Sequence, residues 1–248
     1  MGVDHLIQSI ETAVSMSTPA RTTPPAHSTT LHALYDHEMR STNDTRANGR
    51  NTERAIEQAA LDLFHQKGFH GTSVRDISSK AGVGIATIFH YEQNKATILD
   101  RLLNEIVDRL KSELESALDG IEDPVERLTA AVRELVRVHC EWQRESFVAY
   151  SELRSLPPDA RRIVLHKRTL VQSMFAEALT QAVAERRADC DPKETARAIV
   201  SMIAMIATWY RPDHDPAPGQ IADVYVGMAL RLAGVEAPAR AQVTPGER

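Results

Sequence analysis

The sequence predicts an all-α chain, and three observations carry that prediction. Apolar residues recur at helical spacing (i, i+3, i+4, i+7) in one segment after another between residues 52 and 233. No segment shows the strict apolar/polar alternation of a half-buried strand. Helix stops and starts punctuate the segments: Gly68, Gly82, Gly120 and Gly234 stand at ends, and Asp123-Pro124 and Asp191-Pro192 stand at beginnings.

Residues 1–48 read as a disordered N-terminal extension. Leu6, Ile7, Ile10 and Val14 form one short apolar stretch, and the following STPARTTPPAHSTT is too polar and proline-rich to offset ordering entropy. The first helix is expected over about 52–67. Asn51 is its N-cap, and Ile56, Ala59, Ala60, Leu63 and Phe64 form its buried stripe. The second helix has Thr72 or Ser73 as cap and Val74, Ile77 and Ala81 on one face. Gly82 then takes the chain out through a positive φ. Val83 precedes the third helix, whose buried side is expected to be Ile88 and Phe89.

The fourth helix starts near Lys95 and runs to Gly120, apolar at Leu99, Leu102, Leu103, Ile106, Leu110 and Leu114. The fifth starts at Asp123-Pro124 and lines one side with Leu128, Ala131, Val132, Leu135, Val136, His139 and Trp142. A short sixth helix holds Phe147, Tyr150 and Leu153. The seventh opens at Asp159 and reaches about Arg187; its first half is basic (Arg161, Arg162, His166, Lys167, Arg168) and its second half apolar (Met174, Phe175, Ala178). An eighth helix from Asp191-Pro192 to Tyr210 is apolar on more than one face, so it must be covered on two sides. Pro212, Pro216, Pro218 and Gly219 make a loop, a ninth helix runs from about Gln220 to Ala233, and 236–248 read as a flexible tail.

The second and third helices, joined by a short Gly turn, make a helix-turn-helix, a unit whose second helix can lie in a DNA major groove; an αα corner of a helical enzyme has the same outline. With 42% hydrophobic and 25% charged residues the composition is that of a globular protein, and the net charge of −5 argues against a general polyanion binder. Between residues 46 and 101 eight Lys/Arg (46, 50, 54, 67, 75, 80, 95, 101) face six acids (53, 57, 62, 76, 92, 100). So small an excess implies a few placed phosphate contacts, doubled by dimerisation. Two cysteines, Cys140 and Cys190, exclude a disulfide scaffold, and no apolar run approaches the ~18 residues of a membrane helix. No signal sequence opens the chain, so a cytoplasmic location is expected. There is no GxSxG, HExxH or P-loop, and Thr87 breaks the one GxG start. No catalytic residues, metal or cofactor are expected.

The string TSVRDISSKAGVGIATIFHYEQNK, with the helix before it, resembles the DNA-binding domain of the TetR family of bacterial transcriptional regulators. Leu63, Phe64 and Gly68 match the family's opening; Thr72, Ser73, Val74, Asp76, Ile77, Ala81, Gly82, Val83, Thr87 and Lys95 match the remainder. Gly84, Ala86, Phe89, Tyr91 and Glu92 depart from the pattern. The segment FVAYSELRSL with the later PP, ARRIVLHKR and ATWYRP is similar to a subgroup holding fatty-acid and sterol-catabolism repressors, several responsive to acyl-CoA thioesters.

The resemblance implies an all-helical homodimer with a helix-turn-helix domain over 49–95 and a ligand-binding and dimerisation domain over 96–235; the surplus apolar surface of the eighth helix puts the pairing on the eighth and ninth helices. The resemblance also implies a repressor on a palindromic operator, released by a small apolar effector or an acyl-CoA thioester. For phosphate contacts the expected residues are Thr72, Ser73, Tyr91 and Lys95, and for base edges Ile85, Thr87 and His90. Arg40, Arg46 and Arg50 are either a minor-groove arm or a solvated linker. The expected pocket residues are Trp142, Phe147, Tyr150, Arg162, Arg168, Met174, Met202 and Trp209. A helical interaction module without gated DNA binding and a regulator of efflux answering lipophilic compounds are the rival readings.

Overall fold

The computed structural model of the chain describes residues 49–92 and 94–235. The extension over 1–48, its Arg40 and Arg46, and the tail over 236–248 lie outside the described residues. What is described is helical, in the order α1 (49–67), α2 (Val74–Ala81), α3 (Ile85–Tyr91), α4 (Lys95–Leu118), α5 (Pro124–Glu141), α6 (Gln143–Ser151), α7 (Pro158–Ala184), α8 (Pro192–Ala204), α9 (Ile206–Trp209) and α10 (Pro218–Leu232).

The first three helices close on a small core. Ile56, Ala60 and Phe64 of α1, Ile77 of α2 and Ile88 of α3 are fully buried, and Ile98 and Leu99 of α4 complete the cluster. Ser73 is the residue that caps α2: its hydroxyl accepts from Asp76 N at 3.1 Å while Asp76 Oδ2 accepts from Ser73 N at 2.9 Å. Gly82 leaves α2 at φ 68°, the left-handed conformation that glycine adopts without steric cost. Asn94 caps α4 by accepting from the backbone N–H groups of Ala96 and Thr97.

Helix α4 is 24 residues long, about 36 Å at 1.5 Å per residue, and it serves both halves of the chain. Its first turns belong to the core just described, and its later turns pack on α5 and α7. Helix α10 lies against α5, and α7 against α8.

Five expectations about these elements change. Asn51, expected as the N-cap of α1, is the third described residue of that helix, and Leu153, expected in the sixth helix, opens a separate 3-10 turn over Leu153–Ser155. The predicted eighth helix is two, parted at Met205. Gln143 Nε2 takes the carbonyl of Ala207 at 2.7 Å and the Thr208 hydroxyl takes that of Met205 at 2.7 Å, so side chains intrude on the helical ladder there. Helix α10 begins at Pro218, which occupies a first-turn position where a missing N–H costs nothing, rather than lying in the loop before it. Phe89, expected on the buried side of α3, is 55% exposed, whereas its neighbour Ile88 is fully buried. Adjacent residues sit about 100° apart on a helix, and the core of this head admits one of the two.

Candidate nucleic-acid interface and ligand chamber

Helix α3 turns Ile85, Ala86, Phe89 and His90 outward, a single stripe at i, i+1, i+4 and i+5. Thr87 and Tyr91 are half-buried beside it, and the rings of His90 and Tyr91 meet edge to face at 5.2 Å. Gly84 gives α3 no side-chain cap, so its first N–H groups carry no such partner. Ser73 is exposed at the start of α2. The Ser73 hydrogen bonds hold the Asp76 carboxyl below the usual carboxylate range, which keeps the cap ionised.

Two expected phosphate ligands are committed elsewhere. Thr72 is 2% exposed, and its hydroxyl contacts the carbonyls of Gly68 at 2.8 Å and Leu63 at 3.3 Å. Lys95 Nζ donates to the carbonyls of Phe69 and Thr72, each at 2.6 Å, and lies 4.1 Å from the centre of the Phe69 ring. Both side chains therefore tie the α1–α2 turn to the start of α4 instead of standing free on the surface. The family resemblance places both residues near the interface, but a matched pattern cannot tell a side chain that points at DNA from one that holds the loop.

Helix α3 is tied down just past its C-terminal end. Glu92, just after α3, is buried and reaches Arg101 of α4 at 2.7 Å. The same guanidinium meets Glu57 at 3.1 Å and also pairs with Glu53. Burial raises the Glu57 carboxyl above its ordinary range; Arg101 opposes that, and Glu105, Glu53 and Glu92 add to it.

The second half of the chain holds a chamber of about 720 Å³ walled by α4 (Ile106, Val107, Leu110), α5 (Leu135, His139), α6 (Ser146, Ala149, Tyr150), α7 (Leu165, Arg168, Thr169, Val171, Gln172) and α8 with the residue after it (Val200, Ser201, Met202, Ala204, Met205). Of the expected pocket residues it contains Tyr150, Arg168 and Met202. The other five stand elsewhere. Trp142 lies under the Arg109 guanidinium, 3.7 Å from its ring centre, in a separate cleft. Phe147 stacks edge-on with His65, centroids 5.2 Å apart. Arg162 is exposed and pairs with Asp159 at 2.6 Å. Met174 packs on the core, and Trp209 is exposed beside Tyr210. Helical spacing marks Ile106, Leu110, Leu135 and His139 only as a core stripe, because it identifies an inward face without saying whether a wall or a cavity faces it.

His139 is buried, with Nδ1 2.8 Å from the Leu135 carbonyl. A carbonyl only accepts, so Nδ1 carries the proton and Nε2 is left as an acceptor on a ring that lines the chamber. Burial, with a smaller push from Arg168, lowers its pKa from 6.5 to about 4. The unfolded chain therefore takes up a proton that the folded one refuses. Stability should fall as pH drops from about 6.5 toward about 4, by on the order of 3 kcal/mol at the lower limit. Urea titrations across that window should show the slope and should lose it in His139→Gln; an unchanged slope would place the proton uptake elsewhere. Cys140 is buried, and burial pushes its thiol up to about 11, so it packs as a small apolar residue. Among the described residues no helix is long and apolar enough to cross a membrane.

Comparison with known proteins bears on both halves. Residues 56–102 match the model of bacterial regulatory proteins of the tetR family. Residues 122–233 match the model of the tetracyclin repressor-like C-terminal domain. The HTH-type transcriptional repressor KstR2 of Mycobacterium tuberculosis is 24% identical over 176 residues, 70% of this chain and 88% of its own. The HTH-type transcriptional regulator HbdR of Aromatoleum sp. (strain CIB) is 28% identical over 129 residues, 52% of this chain and 56% of its own. Among solved structures, AibR in complex with isovaleryl coenzyme A and operator DNA is 27% identical, covers 75% of this chain and 100% of its own, and superposes with a TM-score of 0.68. The two domain matches describe regulators, not enzymes, and fall on the head and the chamber-bearing half in the order the fold presents them. The chain belongs to the TetR family of bacterial regulatory proteins and is a DNA-binding transcriptional regulator.

Proposed function

We propose that the chain is a homodimeric repressor that holds a palindromic operator and lets go when an acyl-CoA thioester enters its chamber. One observation carries the reading: α4 forms a wall of the chamber through Ile106, Val107 and Leu110 and holds the recognition helix through Arg101, less than two turns earlier. A ligand that displaces α4 therefore acts on the part that positions α3, and in a symmetric dimer a small pivot is enough to misplace two heads against two half-sites. The chamber volume is that of a small-molecule site, ~300–1,000 Å³. It suits an acyl group with part of its thioester arm, the nucleotide remaining outside. AibR, with its bound isovaleryl coenzyme A, supports the CoA class.

On the DNA side the exposed stripe of α3 reads bases. Ile85 and Phe89 offer apolar contact to thymine methyl groups, and His90 offers a hydrogen-bonding ring. Ser73 and Tyr91 reach phosphate; Thr87 stands beside the stripe, and Thr72 and Lys95 support the loop from within. Native mass spectrometry of the protein mixed with acyl-CoAs, paired with a mobility shift on operator DNA, tests the proposal. A one-per-subunit thioester adduct that frees the DNA is expected. Free acids that free it at the same concentrations would overturn the CoA class.

A further inference from the structure

Arg168 is the one formally charged residue among those lining the chamber; no Asp, Glu or Lys stands with it. Its Nη2 donates to the Ala149 carbonyl at 2.5 Å. Among the described residues no carboxylate lies within ion-pair distance of it, whereas Arg101, Arg137 and Arg187 all have acidic partners. Burial lowers its pKa, the mark of a cation short of compensation. The neighbouring His139 is neutral, so the chamber's formal charge is that of Arg168 alone.

A plain alkyl chain entering this space would cover the guanidinium further and give it nothing to bind. Removing a cation from water without a partner is costly. A thioester carbonyl is a neutral, single acceptor. A carboxylate answers the guanidinium with two parallel charge-assisted hydrogen bonds and brings the single negative charge that the chamber lacks. We infer that the effector's acyl group carries its own carboxylate, seated on Arg168: the effector class is the mono-CoA thioester of a dicarboxylic acid. This rests on the CoA reading above. Of the two arginines expected in the pocket, Arg168 lines the chamber, whereas Arg162 is exposed and paired with Asp159.

The test uses ω-carboxyacyl-CoAs of five to ten carbons, plain acyl-CoAs of matched length, and the corresponding free diacids and monoacids. Each is titrated against the full-length protein on labelled operator, and binding is read in parallel as a thermal shift of the free protein, so that binding without release is still seen. At the best-fitting length the ω-carboxy thioester should act at concentrations at least ten-fold below those of its plain counterpart. Arg168→Met should remove or invert that preference and Arg168→Lys should keep part of it, each variant being compared with its own ligand-free state. Because Arg168→Met also removes a half-buried charge that has no acidic partner among the described residues, its ligand-free melting temperature should not fall. Equal potency of the matched thioesters at every length, or a preference that persists in Arg168→Met, would overturn the inference. Free acids matching their thioesters would sink the CoA reading alone, and a diacid-over-monoacid preference lost in Arg168→Met would then still support the carboxylate.

Discussion

Val224→Glu should turn the dimer into monomers and weaken operator binding by two orders of magnitude or more. Val224, Met228 and Leu232 lie at i, i+4 and i+8 on α10 and are 53%, 37% and 48% exposed, an apolar stripe facing away from the subunit's own core. The opposite side of α10 is spent on that core through Ile221, Ala222, Val226 and Ala229. We propose that this stripe pairs with its own copy across a two-fold axis, where two carboxylates would meet as like charges in an apolar interface. Losing the second head removes the effective-concentration gain that links two half-sites, typically ~10²–10⁴ in affinity. Ile206, from the other helix expected at the interface, is fully buried within the subunit, so a charge there would unfold the body without reporting on the dimer. Sedimentation of Val224→Glu together with Met228→Glu decides the matter; variants that remain dimeric would place the interface elsewhere.

Arg101→Met should cost the head about 3 kcal/mol at neutral pH, the scale for breaking a partly buried ion cluster from one side. It leaves Glu53, Glu57 and Glu92 facing one another without their shared cation, with Glu92 buried. The loss should also depend on pH in a definite direction. Glu57 already titrates above its ordinary value, so its contribution favours the folded state at low pH and is lost as pH rises through its folded value. Removing Arg101, which opposes that rise, carries the folded value further up. Urea denaturation at pH 5 and pH 7 should therefore find Arg101→Met less damaged at pH 5, and Arg101→Lys should recover part of the loss at both. The same damage at both values would contradict the cluster account.

The elements that sequence reasoning located are those set by local chemistry. Ser73, Gly82 and Asp123-Pro124 act on backbone groups within a turn of themselves, and the α1 stripe needs only a core on one side. What escaped depends on partners distant in the chain. The break at Met205 involves Gln143, whose amide takes the Ala207 carbonyl 64 residues on. Glu92 read as a departure from the family pattern, and only the fold sets it against Arg101. In the basic run of α7, Arg162 and Arg168 are equivalent in the sequence. Six residues of helix turn one to solvent beside Asp159 and the other into the chamber, and the run itself carries no mark of which is which.

Chamber occupancy and operator binding should oppose each other through α4. Linkage makes that a single measurable factor: if the effector weakens operator binding by some factor, saturating operator must weaken effector binding by the same factor. Calorimetric titration of an effector that releases the operator into the free protein, and then into the protein saturated with operator DNA, measures it directly. Effector affinity should be at least ten-fold weaker on the DNA-bound dimer, matching the loss of operator affinity in the reciprocal experiment. Equal effector affinity in the two states would contradict that opposition, because a ligand that does not distinguish them cannot shift the balance between them.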